Sequence, residues 1–263
     1  MILDEKAIPA VSRSLSERLH LISLNLSPGS YSQLQDWIIN AAHQRESRTV
    51  CCANVHMVIE AKQNPAIAEA VNSADWVTPD GVPLVWALRG LYGLRQDRIA
   101  GMDLAVSLLQ RAADEGISVF FYGSTPQVLE RLSQTCLERF PALQIAGVLS
   151  PPFRKTTPGE DNTISKQISD SGAGLVLVIL GCPKQELWMA QMRGRIPAVM
   201  IGLGGALLVL AGFQTRAPLW MQQNGLEWLF RLAQEPRRLF KRYAVTNSLY
   251  IWYVGVQWIT QRR

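Results

Sequence analysis

Six consecutive residues, Leu175–Leu180, read Leu-Val-Leu-Val-Ile-Leu, apolar at every position. A strand with one wet face alternates apolar and polar side chains, so a uniform run of this length must be covered on both faces. That requirement is met by a central strand of a parallel sheet with helices packed on each side. The rest of the chain repeats the theme, with short apolar or β-branched runs alternating with segments of helical period. Strands are expected at 20–24, 49–53, 76–78, 118–122, 144–147, 175–180 and 198–202. Helices are expected near 31–45, 65–72, 81–91, 102–115, 126–140, 162–171 and 183–193. Pro126 and Pro183 fall where a first helical turn tolerates proline. Residues 150–160, rich in proline, read as a surface loop. The expected class is therefore α/β, a Rossmann-like and mainly parallel sheet flanked by helices.

Charge divides the chain unevenly. From Gly212 to the C-terminus, eight basic residues (Arg216, Arg231, Arg237, Arg238, Lys241, Arg242, Arg262, Arg263) face two acids, Glu227 and Glu235. The whole chain carries +5, so everything before this stretch is close to neutral. Four of the eight tryptophans (Trp220, Trp228, Trp252, Trp258) lie in the same stretch. Trp favours the membrane–water boundary, and each basic residue near an anionic surface contributes roughly 1 kcal/mol. Residues 1–212 are read as a catalytic α/β domain whose first 16 residues form a loose extension. Residues 213–263 are read as a helical C-terminal membrane-binding appendage. The chain is expected at the cytoplasmic face of the cell membrane, held peripherally on an anionic surface.

Several classes are disfavoured. Four cysteines without Cys-x-x-Cys spacing give no disulfide framework, and a reducing compartment is expected. The N-terminus has charges where a signal peptide needs an apolar run. Two uncharged stretches, 196–215 and 243–261, approach spanning length, but glycines and Pro197 interrupt the first and polar residues the second. Lying in the interface suits the second better. His20, His43 and His56 lie on separate elements, so no metal site is expected. No P-loop or full GxGxxG fingerprint occurs, so no cofactor is expected. The basic charge sits among bulky aliphatics, not in a nucleic-acid-reading motif, so no nucleic-acid partner is expected.

In parallel sheets ligands gather at the C-terminal ends of the strands. Residues 53–56, 79–81 and 181–186 fall there. Asp80, in Pro-Asp-Gly, reads as a turn residue or as a carboxylate poised to take a proton from an attacking hydroxyl. Arg98 is either a solvated charge or a planar partner for a phosphate. Asp103 reads as a helix cap or the partner of a nearby base. Gln185, beside Lys184 and Glu186 in a first helical turn, can hydrogen-bond a sugar or base. Gly123 and Ser124 open a helix and offer a second anion site. Leu226, Leu229, Phe230 and Ala233 share a helical stripe that packs on the body or inserts into lipid.

The ordered set PDG (79–81), RIAGMD (98–103), GCPKQE (181–186), GLGGALLVLAG (202–212), RAP (216–218) and GLEWLFRLAQEPRRLFKRY (225–243) resembles the WecG/TagA/CpsF family of bacterial glycosyltransferases. The likeness runs from about Leu19 to Tyr243. It implies an inverting transfer of a hexose or N-acetylhexosamine-type sugar from a UDP-sugar donor to a polyprenyl-diphosphate-linked acceptor, in cell-surface polysaccharide synthesis. By the same resemblance Asp80 is the base, Arg98 meets the diphosphate, and Gln185 belongs to the substrate pocket. Asn54 matches the family's Thr-x-Asn, with Cys52 in place of the threonine. The resemblance also implies that the appendage completes the active site, and Arg216, Arg237 and Arg238 are the candidates it brings. Leu207 and Leu208 stand where many members have Phe-Asp. A non-catalytic membrane-associated scaffold of a polysaccharide assembly complex is the competing class, and a homo-oligomer is compatible with the sequence.

Overall fold

The computed structural model describes residues 17–261. The extension expected at 1–16 lies outside the described residues, as do Arg262 and Arg263. The strands are β1 (Leu19–Leu21), β2 (Leu24–Leu26), β3 (Arg48–Ala53), β4 (Trp76–Pro79), β5 (Val119–Gly123), β6 (Ile145–Leu149), β7 (Leu175–Ile179) and β8 (Val199–Gly202). The helices of the body are α1 (Tyr31–His43), α2 (Val55–Gln63), α3 (Pro65–Asn72), α4 (Val82–Tyr92), α5 (Gly101–Asp114), α6 (Pro126–Arg139), α7 (Pro158–Asp170), α8 (Lys184–Met192) and α9 (Gly205–Leu210). Three more follow: α10 (Leu219–Gln223), α11 (Glu227–Gln234) and α12 (Pro236–Gln261).

Six strands form one parallel sheet in the order β4-β3-β8-β7-β5-β6. The strand expected at 175–180 sits inside it, between β8 and β5, and its side chains divide between two cores. Leu175, Leu177 and Ile179 enter the layer built with α1, α5 and α6. Val176 and Val178 enter the opposite layer, with α2, α3 and α8. All five are essentially buried, and each such side chain contributes about 1.5–3 kcal/mol relative to exposure.

One expected strand is corrected. Residues 20–24 do not join the parallel sheet but split at Ile22 and Ser23 into β1 and β2, a small antiparallel ribbon. Leu19, Leu21, Leu24 and Leu26 all point one way and are buried. That alternation of leucines with polar residues marks a half-exposed hairpin, which a parallel interior strand is not. A helix absent from the expectation, α2, follows β3 directly. Asn54 caps it, its Oδ1 accepting from Met57 N at 3.1 Å, with no glycine or proline to announce the start.

At the far end of the chain α12 lies along α2 and α4. Tyr250 Oη donates to the carbonyl of Pro83 at 2.9 Å. Gln257 donates to His20 O and accepts from Ile22 N, both at 2.8 Å, and the Lys62 ammonium stands 5.4 Å from the Tyr253 ring centroid. No helix among the described residues is long and apolar enough to cross a membrane.

Candidate active site

The C-terminal ends of β3, β4, β7 and β8 open into one cleft of about 1190 Å³, roofed by α11 and α12. Asp80 follows β4. Its amide donates to Ala53 O at 2.8 Å, which fixes the residue beside the end of β3. Its Oδ1 accepts from the Gly101 amide at 3.2 Å, at the N-terminus of α5, where exposed N–H groups favour a negative charge. Burial pushes the Asp80 carboxyl up to about 6, and Glu227 adds to the rise. Arg231, Arg98 and the Gly101 amide pull the other way. A carboxyl in that range is ionised near neutral pH yet basic enough to take a proton.

The residues around it come from distant parts of the sequence. Arg98 Nη1 donates to Glu227 Oε2 at 2.6 Å, and its Nη2 stands 3.9 Å from Asp103. Arg216 Nη2 donates to Asp103 Oδ1 at 2.6 Å. Asp103 is thus an ion-pair partner in the first turn of α5, not its cap, because Ala100 occupies the cap position. Arg98, Asp103 and Arg216 line a pocket of about 390 Å³ that shares Arg216 and Val82 with the larger cleft.

Gln185 is buried in the cleft floor. Its Oε1 accepts from Gly181 N at 3.1 Å and its Nε2 donates to Glu186 Oε1 at 2.8 Å. Gly202 and Gly204 pack against this amide. A Cβ on Gly202 would lie 2.9 Å from Gln185 Nε2, and one on Gly204, at φ +44°, 3.0 Å from Oε1. Glu186 is buried with Oε2 unpartnered among the described residues, and burial raises its carboxyl above the usual range. Asn54 spends its Oδ1 on capping α2 while lining the cleft. Cys52 lines it too, and burial holds its thiol protonated. Leu208 lines the cleft from α9, and Leu207 is buried in the core.

Of the expected site residues, Asp80, Cys52, Asn54, Gln185, Arg216 and Arg238 meet in the main cleft, with Arg98 and Asp103 in the adjoining pocket. Gly123 and Ser124 are elsewhere. A Cβ on Gly123 would stand 2.6 Å from the Ile179 carbonyl, and Ser124 N donates to Ile179 O at 3.0 Å, so this turn serves the contact between β5 and β7. Arg237 is exposed and lines neither pocket. Arg238 pairs with Glu235, its Nη2 donating at 2.8 Å.

Sequence reasoning missed Arg231 and Arg242 as cleft residues and counted Glu227 only among the acids of the C-terminal stretch. The signal for Glu227 and Arg231 was their spacing of four, which sets both on one helix face. The stripe of α11 is not buried against the body: none of its residues is buried, and Leu229 is 43% exposed. The helix meets the body through its charged face instead. Most exposed large apolar side chains follow Gly212, including Leu219 (65%), Trp220 (59%), Phe240 (67%) and Trp252 (67%). Among the described residues no three His, Cys, Asp or Glu gather as metal ligands.

Two comparisons bear on this site. The model of a family described as "Glycosyl transferase WecG/TagA/CpsF family" matches residues 19–263. A protein of Bacillus spizizenii, an N-acetylglucosaminyldiphosphoundecaprenol N-acetyl-beta-D-mannosaminyltransferase, is 35% identical over 196 residues, which are 74% of this chain and 74% of that protein.

Proposed function

Because the chain belongs to the WecG/TagA/CpsF glycosyltransferase family, we propose that its cleft moves a hexose or N-acetylhexosamine-type sugar from a UDP-sugar to a polyprenyl-diphosphate-linked saccharide, inverting the anomeric carbon. The observation that carries the reading is Asp80. It stands at a strand end inside the large cleft, raised to about 6, with Arg98 and Arg231 near enough to act on its charge. An acceptor hydroxyl attacks the anomeric carbon from the face opposite the UDP while Asp80 takes its proton, a contribution of roughly 10²–10⁴-fold. Negative charge developing on the departing diphosphate is met by fixed cations, for which Arg98, Arg216 and Arg231 are the candidates. Acidic partners hold the first two in place, so little reorganisation accompanies the reaction.

The relative from Bacillus spizizenii acts on a sugar diphosphate of undecaprenol, which supports a lipid-linked acceptor here. Residues 17–212 form the catalytic body in this reading, and 213–261 an appendage that closes the cleft and rests on an anionic membrane at its cytoplasmic face. The exposed Trp220 and Trp252 and the basic charge of the stretch support that placement.

The test is UDP release from a panel of UDP-hexoses and UDP-N-acetylhexosamines with a polyprenyl-diphosphate-linked sugar acceptor, for the wild type and Asp80→Asn. Release with one donor, lost in the variant, is expected. Release that survives in Asp80→Asn removes Asp80 from its role. No release with any pair from a folded protein overturns the transferase and leaves a scaffold.

A further inference from the structure

The cleft does not end at its polar centre. It runs on between α4 and α12, two helices that lie side by side in the same direction. Tyr250 bonds Pro83 near the start of α4, and Gln261 Nε2 meets Tyr92 Oη at 3.4 Å at its end. The face of α12 along the cleft changes character with distance. Arg238 and Arg242 come first, with Leu239 and Tyr243 beside them, then Thr246 and Asn247, and from Tyr250 to Trp258 the lining carries no charge. From Arg242 to Trp258 this wall is about 24 Å long at the rise of an α-helix. On the facing side α4 supplies Trp86, Gly90 and Leu91.

Three observations give this groove an occupant. Its apolar end is open: Trp86 is 60% exposed, Ile251 73% and Trp258 41%. A glycine inside a helix lines each wall, and a Cβ on Gly90 or Gly255 would enter open space, with no atom within 4 Å. Glycine inside a helix costs roughly 0.5–1 kcal/mol relative to alanine, and nothing in the packing around either one requires it. Where the charged and apolar sections meet, Arg242 has a buried Nε without a hydrogen-bond partner among the described residues. A channel with arginines at one end and an unfilled apolar trough at the other matches a ligand with a diphosphate head and a hydrocarbon chain.

We propose that the α4–α12 groove holds the isoprenoid chain of the acceptor, its diphosphate beside Arg238 and Arg242 and its leading prenyl units running from there along α12 toward Gly90 and Gly255. The assignment rests on the lipid-linked acceptor of the proposed function and adds where the lipid goes. The enzyme then recognises the carbons next to the diphosphate, and the remaining chain stays in the bilayer.

The experiment compares binding of a five-carbon and a fifteen-carbon isoprenyl diphosphate to the full chain by titration calorimetry. The wild type is expected to bind the longer probe at least about tenfold more tightly, the scale set by burying a few methylene groups. In Gly90→Leu/Gly255→Leu that advantage falls below about twofold, with the five-carbon affinity retained. Gly90→Ala/Gly255→Ala adds one methyl per wall and keeps an intermediate advantage, which guards against a folding failure of the leucine variant; thermal melts report on both. Equal affinity for the two probes in the wild type overturns the proposal. So does a chain-length advantage that survives in a folded leucine variant. The two readings separate cleanly. A chain-length advantage without sugar transfer keeps the groove and removes the transferase, and transfer without the advantage does the reverse.

Discussion

Arg98 Nη1 donates to Glu227 Oε2 at 2.6 Å across 129 residues of sequence. This pair joins the segment before α5 to the first turn of α11, and both of its members act on Asp80. Glu227 raises the Asp80 carboxyl and Arg98 lowers it. The carboxyl proposed as the base is therefore tuned from the C-terminal stretch. With Asp80 raised to about 6, activity is expected to fall as pH drops through that value, since the base must be ionised. Glu227→Gln removes a charge that favours the protonated form, so the acidic limb of kcat/KM should move to lower pH. A limb that stays in place, or moves up, refutes the coupling.

Asp80 also makes a statement about stability. Its folded value lies above its ordinary one, so between about 4 and 6 the folded state holds a proton that the unfolded state has released. Stability contributed by this group is thus present below its ordinary range and is lost as pH rises through about 6. Asp80→Asn, which keeps an oxygen to accept from Gly101, is expected to be more stable than the wild type at pH 8 by ~1–3 kcal/mol, with the gain shrinking below pH 5. Thermal melts across pH check this, and a variant that melts lower at pH 8 contradicts it.

Arg216 and Arg237 look equivalent as charges but not in place. Arg216 bonds Asp103 and lines the cleft, whereas Arg237 is exposed outside it. Arg216→Ala is expected to lower kcat/KM by roughly 10–100-fold, the scale of losing a partly buried charge-assisted contact. Arg237→Ala should stay within about twofold, as surface changes usually do. Equal losses in the two variants would mean that charge alone, not position, sets the effect.

Gly204 combines a positive φ with close approach to Gln185 Oε1. Gly204→Ala is expected to cost ~1–3 kcal/mol of stability and to reduce turnover by displacing the Gln185 amide from Gly181. Gly159→Ala, where a Cβ meets nothing within 4 Å, serves as the neutral comparison. Urea melts and initial rates on both variants decide it.

Trp220 and Trp252 are 59% and 67% exposed. Replacing both by serine should leave the melting temperature within about two degrees, because surface substitutions change little. Co-sedimentation with anionic vesicles should drop several-fold, and the remainder should be salt-sensitive. Unchanged sedimentation in the double variant would detach these residues from membrane contact.

The sheet was legible because burial on both faces writes itself into composition: the run at 175–180 required cover on each side, and Leu175 and Val176 do face different cores. The ribbon at 19–26 was misread because no glycine or proline marks the two-residue reversal at Ile22 and Ser23. Turn glycines were only partly legible. Gly123 closes β5 and Gly204 follows β8, and only the neighbours each one touches separate a strand contact from a wall of the site.

Asp80, Asn54 and Gln185 were expected at one edge from the sequence because each lies just past a strand, and strand ends in a parallel sheet converge by topology; the structure places all three at the cleft. The sequence by itself determined the class of sheet, the edge where chemistry gathers and the charge of the C-terminal stretch, since these follow from local pattern and composition. Only the tertiary structure decided which distant charges meet. Arg98 with Glu227, Arg216 with Asp103 and the groove between Gly90 and Gly255 all depend on how α11 and α12 fold back over the body. Such pairings are made by side chains across space, and no spacing along the chain encodes them.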